Sequence, residues 1–144
     1  MGFHDLPQEA LAEQLIELAK KAGAQAAEVY QSRSHSLPVF FEANRLTQLE
    51  SAQSEGTALR LWLDGRPGLA VAYGPLEAQA LVERAIALSS LNEPETVELT
   101  SGLTKSYPDL GTAVAVEQLV TWGKEVIALI RDAYREVLIG SEWE

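Results

Sequence analysis

The chain has 144 residues, of which 47% are hydrophobic and 22% are charged, and it contains no cysteine. This composition is typical of a soluble globular protein with a single core, and 144 residues are too few for two independent domains. The absence of cysteine excludes disulfides, zinc ribbons, iron–sulfur sites and thiol catalysis.

The formal net charge of −10 predicts repulsion from nucleic-acid phosphates and from anionic membrane surfaces. No apolar run reaches the roughly 18 residues that a membrane-spanning helix requires. Residues 1–5 lack the basic and apolar segments of a signal peptide. We therefore predict a cytoplasmic protein that has neither nucleic acid nor a membrane as a partner.

The first predicted element is a helix, because Asp5 can cap it, Pro7 suits its first position and Gly23 follows its end. Its apolar stripe consists of Leu11, Leu15, Leu18 and Ala22. A second row consists of Glu9, Glu13 and Glu17. Three carboxylates one turn apart cannot all reach one ion, so we interpret this row as a solvated face rather than a metal site.

From residue 26 to residue 73 the hydrophobic pattern alternates, as it does in half-buried strands. The five predicted strands are Ala27–Ser34, Leu37–Ala43, Leu46–Ser51, Thr57–Leu63 and Leu69–Tyr73. Short connections at 35–36, 44–45 and 64–68 predict antiparallel hairpins and hence a meander. Pro38 cannot donate a ladder hydrogen bond, so its strand is predicted to lie at an edge or to carry a bulge there.

A second helix is predicted from Gly74-Pro75 to about Leu91, with its buried side formed by Leu81, Val82, Ala85, Ile86 and Leu88. We expect both helices to cover the aliphatic face of the fourth strand, which carries Thr57, Leu59, Leu61 and Leu63. The predicted fold class is α+β: an antiparallel meander sheet with helices packed on one face. The element order is α-β-β-β-β-β-α, followed by a long helix and the start of a further strand.

The domain prediction places an N-terminal α+β unit at residues 1–92 and a linker rich in Pro, Gly, Ser and Thr at 93–112. Residues 113–144 are predicted to form the long helix plus the first strand of a second unit, so we expect the chain to be part of a longer protein. The apolar stripe of the long helix runs from Val116 to Val137. It must be covered by the first unit, a second copy or a continuation of the chain, and we expect a dimer formed through this helix.

A search for catalytic chemistry finds no complete motif. His4 and His35 are the only histidines and have no metal-ligand spacing. Gly140-Ser141-Glu142 lacks the remainder of a nucleophile elbow. The pairs Glu93/Glu95 and Glu142/Glu144 lie in polar sequence, which favours solvation over acid–base catalysis. The sequence therefore predicts no catalytic, cofactor-binding or metal residue.

Tyr30, Phe40, Arg60 and Trp62 bring aromatic and basic residues into the strand region. Proteins that stack single-stranded bases combine aromatics with a basic groove, and this chain is acidic. We interpret the three aromatic residues as packing of the sheet.

The strand region resembles the N-terminal domain of the TldD/PmbA family, formerly described as modulators of DNA gyrase and now regarded as metallopeptidase subunits. The resemblance rests on Ala27-Glu28-Val29-Tyr30, Ser32-Arg33-Ser34 and the stretch from Gly56 to Ala70, which contains Asp64-Gly65-Arg66. It is close over residues 8–92 and looser beyond them. Leu69 stands where the family more often has Phe, and Pro67 varies the turn.

The resemblance implies a non-catalytic N-terminal domain of a metallopeptidase subunit that acts in proteolysis. Such a domain would contribute to dimer assembly with a homologous subunit and to the chamber that admits unfolded peptide substrate. The family's zinc motif is a helical His-Glu-x-x-x-His with a distant cysteine, in the C-terminal part of TldD-type subunits. No residue here matches that motif, so we expect no cofactor in this chain and place any zinc in a C-terminal part or a partner subunit.

Our own hypothesis is that an exposed sheet edge holds an extended peptide by strand addition. The alternatives are a stand-alone acidic protein-interaction module with no enzymatic role and, least favoured, a small independent enzyme.

Overall fold

The structure is a computed structural model that describes residues 8–100, 107 and 111–144. It contains α1 (Gln8–Lys21), β1 (Ala26–Ser36), β2 (Val39–Glu42), β3 (Arg45–Leu49), β4 (Ala52–Leu63), β5 (Arg66–Tyr73), α2 (Ala78–Ser89), α3 (Val116–Ala133) and β6 (Ser141–Trp143). The predicted α+β class and the order of the elements are confirmed. The predicted roles of Asp5 and Pro7 fall outside the described residues.

The strands form two three-stranded sheets, with orders β1-β4-β5 and β3-β2-β6. The predicted hairpins β2–β3 and β4–β5 are confirmed. The predicted pairing of β1 with β2 is wrong, because β1 lies beside β4 and β2 lies between β3 and β6. The strands therefore do not follow one another in a single meander.

Contacts divide the chain into two compact units. Among the described residues, unit 1 contains 8–34 and 54–100, and unit 2 contains 35–53, 107 and 111–144. Each unit has its own hydrophobic cluster, which replaces the single core expected from the composition.

The core of unit 1 lies between its sheet and two helices. Its buried members are Leu15, Ala19, Leu59, Leu61, Ala70, Ala78, Leu81, Val82 and Ala85. The predicted inward face of β4 is confirmed, because Leu59 and Leu61 are fully buried and Leu63 packs against the same cluster. Both α1 and α2 contribute residues to this cluster, as expected if both helices cover the same face of the sheet.

The second helix begins and ends inside its predicted bounds. Glu77 caps it with a carboxylate that accepts the Ala80 N–H at 3.0 Å, which leaves Gly74-Pro75 outside. The predicted burial of Leu88 is wrong: its side chain is 38% exposed, whereas Ser89 is 2% exposed. The Ser89 hydroxyl donates to the Ile86 carbonyl at 2.7 Å, so its burial leaves no unpaired polar atom.

A two-residue turn joins β4 to β5, and it is shorter than the five-residue connection predicted. Asp64 and Gly65 both have positive φ, 53° and 74°, which matches the twist that tight hairpins require. Gly68 therefore lies within β5, where a Cβ atom would come 1.9 Å from the Ala85 carbonyl oxygen. Glycine at this position lets α2 approach the strand closely.

In unit 2, α3 packs on β2. Val39, Phe41, Leu119 and Ile127 are buried together, and a Cβ atom on Gly123 would come 2.2 Å from the Phe41 ring. Leu119 and Ile127 of the apolar stripe are thus covered by a strand of their own chain, whereas Tyr134 and Val137 at its far end are exposed. The dimer formed through this helix stays a prediction.

Asn44, just after the C-terminal end of β2, forms hydrogen bonds with the segment that follows α3. Asn44 accepts the Ile139 N–H on Oδ1 at 2.9 Å and donates from Nδ2 to the Val137 carbonyl at 3.1 Å. Its backbone N–H donates to the Ile139 carbonyl at 3.1 Å. The helix itself ends at Ala133, earlier than the predicted Val137, because Tyr134 leaves the helical region at φ −135° and ψ 82°.

The edge position predicted for the strand that contains Pro38 is also wrong. Pro38 precedes β2, and β2 is the central strand of its sheet. A register shift does occur in β2, between Phe40 and Phe41 rather than at the proline. Of the helices that the structure describes, none is long and apolar enough to cross a membrane.

Candidate functional site

The sheet of unit 1 has one face beneath the helices and one open face. Alternation along the three strands places on the open face Glu28, Tyr30, Ala58, Arg60, Trp62, Leu69, Val71 and Tyr73. Tyr30 is 71% exposed and Tyr73 is 84% exposed. The interpretation of Tyr30 as a packing residue is therefore wrong, since this ring is available for contact with another molecule.

One end of the open face is closed. Trp62 is 2% exposed, and its indole Nε1 donates to Glu95 Oε1 at 2.9 Å. The Arg60 guanidinium lies 4.9 Å from the centroid of the Trp62 ring, in the geometry of a cation–π contact. Arg60 also forms an ion pair with Glu28. The interpretation of Trp62 as a packing residue holds, because its side chain is buried. The sequence feature that indicated this burial is a large aromatic residue on a predicted strand.

A shallow depression of about 150 Å³ lies beside this closed end. Ala58 contributes to it from the central strand, and Tyr30 and Leu69 contribute from the strands on either side. A volume of this order can hold one benzene-sized group. The depression is therefore a candidate site for one apolar side chain.

The edge of the sheet at β5 is partly covered. A two-residue turn makes Leu63 and Arg66 a hydrogen-bonded pair, so residues 67, 69, 71 and 73 direct their backbone groups outward. Pro67 has no N–H, and its carbonyl accepts from Asn92 Nδ2 at 2.7 Å. The Val71 carbonyl accepts from the Arg84 guanidinium at 3.3 Å. Prolines and covered edge groups are devices by which proteins prevent strand addition.

The register of β1 against β4 shows which of its backbone groups face outward. The hydroxyls of Ser34 and Ser54 are 2.7 Å apart, so these residues lie opposite each other. The Trp62 carbonyl accepts the Gln25 N–H at 2.9 Å, which places the even-numbered residues of β4 toward β1. Residues 27, 29, 31 and 33 of β1 therefore direct their N–H and C=O groups away from β4.

Among the described residues, no backbone hydrogen bond covers these four positions. Ala27 and Val29 turn their side chains to the helix layer. Arg33 Nε lies 2.6 Å from Glu55 Oε1, so its charged group is held toward β4 instead of across the edge. We call residues 27, 29, 31 and 33 the open edge.

The residues examined in the search for chemistry do not come together. His35 is exposed, with Nε2 at 3.3 Å from the Ser51 hydroxyl, and His4 lies outside the described residues. Ser141 Oγ accepts from the Trp143 indole at 2.9 Å. Over the part of the chain that the structure describes, no three His, Asp or Glu side chains are grouped to hold a metal ion.

Residues 27–89 match the family model for PmbA/TldA metallopeptidase domain 1. The match spans β1 to α2 and so contains both the open face and the open edge. A comparison with curated protein sequences finds no significant match.

Three solved structures are similar in fold. TldE from Thermococcus kodakarensis is 22% identical with a TM-score of 0.77, and the match covers 92% of this chain and 32% of TldE. A "putative modulator" of DNA gyrase from Bacteroides thetaiotaomicron is 19% identical with a TM-score of 0.71, covering 93% of this chain and 33% of that one. A protein with the same description from Thermotoga maritima is 18% identical with a TM-score of 0.62, covering 81% and 28%. This chain thus spans about a third of the length of each.

Proposed function

We propose that this chain, whose residues 27–89 match domain 1 of the PmbA/TldA metallopeptidase family, is a non-catalytic domain that receives substrate for a peptidase subunit. In this role it contributes to assembly with a homologous subunit in the cytoplasm and to the chamber that admits unfolded peptide for proteolysis. The hydrolytic metal and its ligands belong to another part of the subunit or to its partner.

One observation carries this proposal: unit 1 presents an open sheet face with exposed aromatic rings, bordered by an open edge. Tyr30 and Tyr73 offer large contact areas with few side-chain torsions to order. Unpaired strand groups bind main chain, which every unfolded polypeptide exposes whatever its sequence. A substrate-receiving surface needs this tolerance, because a peptidase that takes unfolded chains meets many sequences.

The charge of the chain supports the same role. With a net charge of −10, the chain attracts basic segments and repels acidic ones. We therefore expect neutral and basic unfolded polypeptides to be the preferred substrates.

The test measures binding of egg-white lysozyme in two states: folded, and unfolded by reduction and alkylation with iodoacetamide. Both states are basic, so charge alone attracts them equally. We expect the purified chain to bind the unfolded state at least about tenfold more tightly, since only the unfolded state offers free main chain. Equal affinity for the two states, or no binding of either, would contradict the proposal.

The same samples test the non-catalytic part of the proposal. A hydrolytic zinc needs three protein ligands and an open position. We expect no cleavage of the unfolded lysozyme after zinc is added, and no stoichiometric zinc in the purified chain by metal analysis. Cleavage that a chelator abolishes would show that the chain is itself a peptidase.

A further inference from the structure

We infer that the open edge of β1, at residues 27, 29, 31 and 33, binds an extended peptide by adding it to the sheet as a fourth strand. The inference deepens the proposed function, because it names the place and the bonding by which unfolded substrate is held. It rests on the contrast between the two edges of the unit 1 sheet.

The two edges differ in how they are protected. At β5, Pro67 lacks one outward N–H, and the Asn92 amide and the Arg84 guanidinium donate to two outward carbonyls, those of Pro67 and Val71. At β1, four successive outward positions keep both a donor and an acceptor, and no described residue pairs with them. A strand of 11 residues that no described residue protects in this way invites pairing.

The side chains of β1 are arranged to leave the edge accessible. Ala27 and Val29 are anchored in the helix-covered core, which holds this part of the strand in place. Glu28 and Arg33 form ion pairs with Arg60 and Glu55 of β4. Both charged side chains of β1 are therefore directed toward β4 and away from the open edge. An added strand would meet backbone at the edge and the exposed Tyr30 ring on the open side.

The occupant that fits is a neutral or basic peptide rather than a second copy of this chain. A second copy has the same net charge of −10 over its whole chain, and like net charges oppose association. Recognition through four donor–acceptor positions is independent of sequence. Unfolded segments have this chemistry in common, whereas a folded partner would need a matching edge of its own.

The depression at Ala58 is the competing place for a peptide on this sheet. It lies on the open face between Tyr30 and Leu69 and offers room for a side chain but no main-chain groups. A peptide bound there would depend on the volume beside Ala58 and would not change the exposure of the β1 amides to solvent.

The experiment uses a synthetic peptide as long as β1, with alternating valine and threonine and a lysine at each end. Its twin carries an N-methyl group on every backbone amide nitrogen, which removes the donors of both edges of the peptide and keeps its side chains and its charge. In the complete chain, we expect the unmodified peptide to bind and to slow hydrogen exchange at the amides of Val29, Gln31 and Arg33. The methylated twin should bind at least about tenfold more weakly.

Three variants provide matched controls. Gln31→Pro removes one outward N–H and places a ring on the edge, and we expect it to weaken binding about tenfold. Gln31→Ala removes the same side chain but keeps the N–H, and Ala58→Leu fills the depression. Both should bind as the unchanged chain does. Hydrogen exchange at the core amides of Leu59 and Leu61 checks that each variant is folded.

The outcomes separate this inference from the proposed function. If both peptides bind equally and the β1 amides stay unprotected, or if Ala58→Leu weakens binding and Gln31→Pro does not, strand addition at β1 is wrong and reception of unfolded peptide stands. If neither these peptides nor unfolded lysozyme binds, the proposed function fails together with the inference. If Gln31→Pro does not fold, hydrogen exchange at the β1 amides of the unchanged chain still tests the inference.

Discussion

Units 1 and 2 both bring a helix against a strand at a glycine, but the glycine lies on opposite partners. In unit 1 it is Gly68 on the strand, and an added Cβ would meet the Ala85 carbonyl oxygen, which is backbone. In unit 2 it is Gly123 on the helix, and the obstacle would be the Phe41 ring, which is a side chain. No substitution can remove a carbonyl oxygen of the helix backbone, whereas a smaller side chain can replace the Phe41 ring. A second substitution should therefore restore stability after Gly123→Ala but not after Gly68→Ala.

The units also differ in the size of their cores. Among the residues that the structure describes, the buried cluster of unit 1 has nine members and that of unit 2 has four. Unit 2 therefore depends more heavily on single contacts, such as the Phe41–Gly123 approach and the Asn44 hydrogen bonds.

The largest effect is expected at the centre of the unit 1 core. Leu61→Ala should lower the free energy of unfolding by about 2–5 kcal/mol, because Leu61 is fully buried between β4 and the helices. Denaturant titration followed by Trp fluorescence measures the loss. A loss under about 0.5 kcal/mol would place Leu61 at the surface and invert the assigned faces of the sheet.

At the closest approach in unit 1, Gly68→Ala should cost about 3 kcal/mol, near the upper end for overpacking. Ser89→Gly removes the Ser89 Cβ, which lies 2.8 Å from the position of the added atom, but it leaves the carbonyl oxygen at 1.9 Å. The double variant should therefore recover little stability. Full recovery in a double-mutant cycle would show that the obstacle is a side chain, as in unit 2, and would remove the contrast between the two sites.

The corresponding change in unit 2 should be milder and reversible. Gly123→Ala should cost about 1–3 kcal/mol through its clash with the Phe41 ring. Adding Phe41→Leu should restore part of that loss, so that the two changes together cost less than the sum of each alone. Strictly additive costs, measured by denaturant titration, would argue that the helix and the ring are not in contact.

The smallest effect is expected at the Asn44 turn. Asn44 has φ 67° and makes two side-chain hydrogen bonds to residues 137 and 139. Asn44→Gly keeps a residue that tolerates this φ and should cost about 1–2 kcal/mol from the lost bonds alone. Asn44→Ala adds backbone strain of about 1 kcal/mol. Equal losses for the two variants would show that the turn geometry contributes nothing.

Local sequence patterns predict part of the fold, but they do not predict which backbone groups at the sheet edges are hydrogen-bonded. The alternation of Leu59, Leu61 and Leu63 predicts which face of β4 is buried, because side chains in a strand alternate with a period of two. The paired glycines of the 64–68 segment predict a turn, but not that Gly68 lies inside the strand against α2. No motif surrounds the polar residues Asn92, Arg84 and Glu95. Only the folded chain brings Asn92 and Arg84 to the outward carbonyls of β5, and Glu95 to the Trp62 indole.

The candidate site divides in the same way. Tyr30 and Arg60 are recognisable in the sequence as an aromatic and a basic residue on strands, yet their exposure depends on which face the helices cover. The open edge was hypothesised in general terms, and its residues became identifiable once the Ser34–Ser54 register and the Asp64-Gly65 turn were known.

The sequence by itself determined the α+β class, the element order, the helix stripes and the inward face of β4, since each depends on periodicity within a single element. Tertiary structure alone decided that β1 pairs with β4 and that β2 becomes a central strand against α3. It also decided that two outward carbonyls of β5 accept side-chain hydrogen bonds, while no described residue bonds to the outward groups of β1. These features depend on contacts between residues far apart in the chain, such as Asn44 with Ile139 and Pro67 with Asn92. The free energy of such contacts depends on what approaches from elsewhere in the fold, and no local pattern encodes it.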